Sequence, residues 1–122
     1  LGIADYIHLE GISNRIPDYL RAADIYVQPS RHEGLPLSLM EACSTGLPIV
    51  ATRVGGIPEV AREGENAYLF AAETANELAK YMGELIDNKQ QRSELGQRGV
   101  KVFQNDFEIK SNVSKIIEYY QL

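Results

Sequence analysis

Cysteine occurs once in this chain, at Cys43, so no internal disulfide can form. Also lacking is any apolar stretch of the roughly 18 residues that a membrane-crossing helix needs, and there is no signal-peptide pattern. These absences lead to the expectation of a reducing, cytoplasmic setting. Basic residues are few and scattered: 12 Lys and Arg against 17 Asp and Glu give a net charge of -5. Duplex nucleic acid is met mainly by clustered Lys and Arg, so no nucleic-acid partner is expected. No Asp-x-Asp pair occurs, and His8 and His32 are too isolated to suggest a metal cluster. No internal repeat, low-complexity tract or Gly/Ser/Pro-rich linker divides the chain.

What is present has the length and content of a single domain: 122 residues, 44% hydrophobic and 24% charged. The hydrophobic rhythm alternates between short β-like runs and longer helical ones, the pattern of βαβ units around a parallel sheet. Strands are expected at residues 6–10, 24–29, 47–52 and 67–70. Helices are expected over 13–23, capped by Ser13 or Asn14, and over 36–45, with Gly46 just past its end. From Glu73 onward Leu78, Tyr81, Met82, Leu85 and Ile86 recur at helical spacing, and further helical segments follow around 95–103 and 109–120. The expected fold class is therefore α/β, with a Rossmann-like parallel sheet flanked by helices and a helical C-terminal tail. The chain opens at Leu1 in what reads like the middle of an α/β repeat, which leads to the expectation of a fragment.

In an open parallel sheet ligands sit outside the carboxyl ends of the strands. Three segments with unusual residues fall there: Gly11 to Ser13, Pro29 to Pro36 and Thr52 to Gly56. Pro36 suits the first position of a helix, so the N–H groups of Leu37, Ser38 and Leu39 would be orphan donors at the positive end of the helix dipole. Such an end receives phosphate, or it is simply hydrated. Glu33 stands before this turn and Glu41 on the polar face of the helix beyond it. An ionised carboxylate only accepts hydrogen bonds, so vicinal hydroxyls suit Glu41 and the hydroxyls of a more distal group suit Glu33. Either residue, taken alone, also fits a solvated surface charge. Gly55-Gly56 serves the close approach of a ligand or the turn into the next helix, and Arg31 and Arg53 are phosphate partners or ordinary exposed cations. Cys43 falls on the apolar helix face, as core filler. Tyr119 and Tyr120 are expected to dock the tail or meet another domain.

Glu33-Gly34-Leu35-Pro36-Leu37-Ser38-Leu39-Met40-Glu41-Ala42 resembles the E-x7-E signature of retaining nucleotide-sugar glycosyltransferases, specifically glycosyltransferase family 4, whose two-domain architecture is called GT-B. The stretches "IHLEG", "AADIYVQPSRHEG", "GLPIVATRVGGIPEV" and "EGENAYLF" resemble the family's strands and loops in the same order.

The resemblance implies a partial GT-B C-terminal domain over residues 1–122, binding a nucleotide-diphosphate sugar as donor substrate, with no cofactor and no metal. It implies that Glu33 contacts hydroxyls of the donor hexose and Glu41 the ribose hydroxyls. Backbone groups of Gly34, Leu35, Pro36, Leu37 and Ser38 would approach the sugar and distal phosphate, and Gly11, Ile12 and Ser13 would lie near the nucleobase. Glu33 and Glu41 are thus the expected catalytic pair. The implied reaction is transfer of a hexosyl group with retention, by front-face attack in which the leaving phosphate accepts the acceptor's proton; Glu33 as a covalent nucleophile is the alternative. The Arg and Lys that clamp the family's pyrophosphate, and its N-terminal acceptor domain, have no counterpart here, so the chain alone is expected to be inactive. The acceptor, a sugar or a lipid, and any membrane contact would be met through that absent part. Leu35-Pro36 replaces the Phe-Gly of many members. Two other functions fit the same residues: a non-catalytic sugar-nucleotide-binding or scaffold subunit, and a related GT-B epimerase or phosphorylase.

Overall fold

The apolar runs that end at Gln28, Thr52 and Phe70 form three parallel strands, β1 (Tyr26–Gln28), β2 (Ile49–Thr52) and β3 (Ala67–Phe70), in the order β1-β2-β3. This computed structural model describes residues 2–120, apart from the side chains of Ser111 and Tyr120. Six α-helices lie among the described residues: α1 (Ile16–Ala22), α2 (Leu37–Ser44), α3 (Ile57–Val60), α4 (Ala75–Asp87), α5 (Lys89–Asp106) and α6 (Ile109–Tyr120). The α/β architecture, a parallel sheet flanked by helices with a helical tail, is the one expected.

All four residues of β2 are buried, because this central strand is covered on both faces and carries a continuous apolar run. Val50 pairs with Val27 on one side and Tyr68 on the other. Successive side chains alternate between two core layers. Ile49, Ala51, Ala67 and Leu69 pack with Leu39 and Cys43 of α2 and Ile57 and Val60 of α3. Val50 and Phe70 pack with Leu85 of α4 and Leu95 of α5, joined by Leu78 and Tyr81.

Gly46 ends α2 as its position predicts. It adopts φ 77, its N–H bonds to the Cys43 carbonyl at 3.2 Å, and the Leu47 N–H reaches the Ala42 carbonyl at 3.2 Å. This is the paired bonding of a left-handed helix cap. Gly96 of α5 lies so close to this turn that a Cβ there would overlap the Gly46 carbonyl, and Gly99 lies against Cys43. The thiol of Cys43 donates to the Gly99 carbonyl at 3.0 Å, and burial pushes its pKa up, in keeping with core filler. Tyr119 is 81% exposed; the expectation for the Tyr120 side chain falls outside the described residues.

Three local expectations need correction. Residues 6–10 form no strand: Ala4–Tyr6 is a short 3-10 turn and the rest is irregular, with Tyr6 84% and Leu9 93% exposed. A strand is made by its hydrogen-bonding partner, and among the described residues β1 pairs only with β2. Secondly, α1 is capped by Arg15 rather than by Ser13 or Asn14, and the Ser13 hydroxyl oxygen instead accepts the Arg15 N–H at 3.0 Å. Thirdly, Pro36 is the N-cap of α2, with extended ψ 121, and the helix begins at Leu37.

Candidate functional site

The loop after β1 carries Glu33, and the hydrogen-bonding side chains of Gln28 and Thr52 at strand ends and of Ser30 within the loop shape it. Gln28, the last residue of β1 and only 8% exposed, donates from Nε2 to Glu33 Oε1 at 2.7 Å. The Ser30 hydroxyl donates to the same oxygen at 2.6 Å. These two bonds, Ser30 first, hold the Glu33 carboxyl below its usual pKa, so it is a carboxylate at neutral pH. Its second oxygen, Oε2, accepts no bond among the described residues. The loop is itself tied to β2, since the Thr52 hydroxyl donates to the Ser30 carbonyl at 2.7 Å.

Gly55 and Gly56 close on the loop from the other side. The Gly56 N–H donates to the Gly34 carbonyl at 2.8 Å, and a Cβ on Gly55 would overlap the Glu33 carbonyl. Gly55 also has φ 53, the left-handed region that a residue without a Cβ adopts freely. Of the two roles the sequence left open, the turn into the next helix is the one seen, with Gly56 the N-cap of α3, and both glycines also lie against the backbone of Glu33 and Gly34.

Beyond Gly34 the helix α2 presents its first turn. The Leu39 N–H bonds to the Pro36 carbonyl at 3.2 Å, so Leu39 is not the orphan donor expected of it. The N–H groups of Leu37 and Ser38 precede the helix's hydrogen-bonding ladder, with no side-chain cap. Leu39, Ala42 and Cys43 are buried, while Leu37, Ser38 and Glu41 are exposed, so Glu41 lies on the polar face as its spacing predicts. Tyr26 joins this turn to β1: its hydroxyl lies 3.0 Å from Ser38 Oγ and 3.0 Å from Gln28 Oε1. Burial pushes the Tyr26 phenol up, and the charges of Glu33 and Glu41 add to that shift.

Glu33, Gly34, Leu35, Pro36, Leu37, Ser38 and Glu41 therefore share one loop and helix start at the carboxyl end of β1. Gly11, Ile12 and Ser13 lie in the irregular segment before α1, with Ile12 fully exposed. The two arginines are engaged by carboxylates. Arg31 meets Glu73 at 3.1 Å beside a cleft of about 340 Å³ floored by Phe70 and Leu78, and Arg53 meets Glu63 at 3.1 Å. Glu73 has φ 68 and is the one residue other than glycine with positive φ among those described. Among the described residues no group of three or more His, Cys, Asp or Glu side chains gathers, and no helix is long and apolar enough to cross a membrane. Sequence reasoning missed Tyr26 and Gln28, and it placed Ser30 and Thr52 in segments at this end of the sheet without singling them out. The signal for two of them was there, a polar Gln and Thr closing otherwise apolar strands.

The family profile described as "Glycosyl transferases group 1" matches residues 1–102. The chain belongs to that family. It is similar to the lipopolysaccharide core biosynthesis mannosyltransferase LpsB of Rhizobium meliloti, 31% identical over 98% of this chain and 35% of the relative. To the MMP alpha-(1->4)-mannosyltransferase of Mycolicibacterium hassiacum it is 33% identical, over 99% of this chain and 30% of the relative. It thus spans about a third of the length of these curated relatives. The solved C-terminal domain of LpcC, a group 1 glycosyl transferase from Francisella tularensis, superposes with TM-score 0.75 at 31% identity, covering 84% of this chain and 53% of that one. Anabaena Alr3699/HepE, solved in complex with UDP, superposes with TM-score 0.90 at 23% identity, over 98% of this chain and 33% of that one. The same protein was solved with UDP-glucose. The sheet, helices and tail described above are of the GT-B type shared by these structural neighbours.

Proposed function

We propose that the chain is the donor-binding part of a retaining glycosyltransferase of family 4, which transfers a hexosyl group from a nucleotide-diphosphate sugar to an acceptor hydroxyl. The observation that carries this reading is the arrangement at the end of β1. A carboxylate with one oxygen held and one open, Glu33, is separated from a second exposed carboxylate, Glu41, by the N-terminal turn of α2 with the Leu37 and Ser38 amides at its mouth. Membership in the group 1 family and the UDP and UDP-glucose complexes of the Anabaena neighbour support the choice of ligand.

In this reading Glu33 Oε2 accepts a hydroxyl of the hexose, the backbone from Gly34 to Ser38 faces the distal phosphate, Glu41 accepts the ribose hydroxyls, and Gly11 to Ser13 lie along the base. The leaving diphosphate gains charge in the transition state, so amides already aimed at it stabilise that state more than the ground state. The acceptor oxygen attacks the anomeric carbon on the face that the diphosphate leaves, the carbon–oxygen bond to phosphate breaks, and the acceptor's proton passes to the departing phosphate oxygen. No cofactor and no metal enters this scheme. The acceptor, a sugar or lipid, is met by parts of the protein outside this chain, so the chain alone binds donor without transferring it. A cytoplasmic location, at the membrane face when the acceptor is a lipid, goes with this reading.

Calorimetry and amide NMR with UDP, GDP and ADP, each with and without a hexose, test it. One of the nucleotides should move amides at Gly11 to Ser13 and Gly34 to Glu41. Glu41→Ala should weaken nucleoside-diphosphate binding by roughly ten- to 150-fold, the worth of a charge-assisted hydrogen bond. Glu33→Ala should leave that affinity unchanged and remove only what the hexose adds. Shifts confined to α5 and α6, or indifference to both substitutions, would refute the assignment.

A further inference from the structure

We infer that Tyr26 and Gln28 are positioning residues for Glu33, the middle links of a hydrogen-bond chain that runs in one direction from the Ser38 hydroxyl on α2 to the Glu33 carboxylate in the β1–α2 loop. The inference rests on the proposed role of that loop in binding donor, and it adds what sets Glu33's orientation.

The direction follows from which groups can donate. A carboxylate only accepts, so the Gln28 atom 2.7 Å from Glu33 Oε1 is the amide nitrogen. The Gln28 carbonyl oxygen therefore faces Tyr26 at 3.0 Å, and an amide oxygen cannot donate. Tyr26 spends its single proton on Gln28. The 3.0 Å contact between Tyr26 and Ser38 is then made with the serine proton, Ser38 donating to the phenol oxygen. Turning the Gln28 amide over would set its oxygen against the carboxylate, so the order holds while Glu33 is ionised. Because Gln28 is 8% exposed, water does not readily replace a lost partner.

The chain is asymmetric in its consequences. Withdrawing the Ser38 proton, as a phosphate at the α2 turn would, removes a donor from Tyr26 but leaves Tyr26 donating to Gln28 and Gln28 donating to Glu33. The hexose-facing carboxylate stays in place whether or not the phosphate end is occupied. Removing the Tyr26 hydroxyl instead strands the Gln28 carbonyl and frees the amide to turn.

The test is the titration of the Glu33 side-chain carboxyl by carbon-13 NMR in the 122-residue chain, in the wild type and in Gln28→Met, Tyr26→Phe and Ser38→Ala. Glu41, Arg31, His32 and Glu73, which pairs with Arg31 at 3.1 Å, are charged or titratable groups near this loop and are common to all four proteins. Glu33 should titrate higher in Gln28→Met, higher by less in Tyr26→Phe although Tyr26 does not bond to it, and as in the wild type in Ser38→Ala. Wild-type behaviour in Tyr26→Phe overturns the inference, as does an upward shift in Ser38→Ala equal to that of Tyr26→Phe. Should Gln28→Met lose its cooperative melt, the comparison of Tyr26→Phe with Ser38→Ala decides. A parallel calorimetric arm uses UDP and UDP-glucose: Tyr26→Phe should lower the affinity ratio of UDP-glucose to UDP while UDP alone binds as before. If neither ligand binds the wild type, UDP sugars are refuted as donors for the proposed function, and the titration still decides the hydrogen-bond chain.

Discussion

Replacing Gly55 with alanine tests whether the double-glycine turn is what holds the Glu33 loop. Two costs add at this position. A residue with a Cβ at φ 53 costs about 1–2 kcal/mol. That Cβ also overlaps the Glu33 carbonyl, and forcing an extra carbon into a packed contact costs typically about 1–3 kcal/mol. Gly64 provides the control, because it has φ 73 but no atom within 4 Å of its notional Cβ, so Gly64→Ala carries only the first cost. The loss of unfolded-chain freedom on going from glycine to alanine is common to both and cancels. Urea unfolding followed by circular dichroism should place Gly55→Ala about 1–3 kcal/mol below Gly64→Ala at an unchanged denaturant slope. Equal midpoints for the two variants would show that the loops do not press on one another, and the glycine would then serve backbone geometry alone.

Two further outcomes follow from other parts of the chain. Asn66 is fully buried; its Oδ1 accepts the Arg62 N–H at 2.7 Å and its Nδ2 donates to the Val60 carbonyl at 3.0 Å, so Asn66→Ala strands two backbone groups. A loss of about 2–4 kcal/mol in the same urea assay is expected, and a loss under about 1 kcal/mol would mean that solvent reaches them. Glu77 accepts the Ala71 N–H and the Thr74 hydroxyl, which hold its carboxyl below the usual range in the folded chain. Its contribution is therefore present above the unfolded-state pKa and lost as pH falls through the folded-state value. Glu77→Gln should flatten the fall in stability between neutral and acidic pH, and parallel curves for the two proteins would refute this.

The parts of the fold legible in the sequence were those that depend on local pattern. "IVAT" and "AYLF" are strands because short, continuous apolar runs suit a sheet buried on both faces, and Gly46 ends α2 because the cap needs positive φ. Residues 6–10 carry a similar apolar content, yet strand formation depends on a neighbouring ladder that residue type does not encode. The site divides in the same way. Glu33 and Glu41 are proposed from spacing along one loop and helix, whereas Tyr26, Gln28, Ser30 and Thr52 enter through bonds that join β1, the loop after it, β2 and α2. The polar character of Gln28 and Thr52 within apolar strands was the available clue. The orphan amides were misjudged by one residue, at Leu39, because its N–H closes a tight i→i−3 bond to the carbonyl of the N-cap Pro36, which spacing along the sequence does not reveal.

The bare contact between Gly96 and Gly46 also sets where α5 sits along its own axis. One residue either way brings Leu95 or Gln97 against the Gly46 carbonyl, which leaves no room for a side chain. The two glycines therefore work as a key that admits one axial position. Since Leu95 enters one core layer and Phe103 packs against the other, that single position fits both ends of the helix at once. A bulkier residue at Gly96 would displace α5 lengthwise and misalign both layers together, at a site far from either of them in character: two backbones touching at the surface of a helix turn.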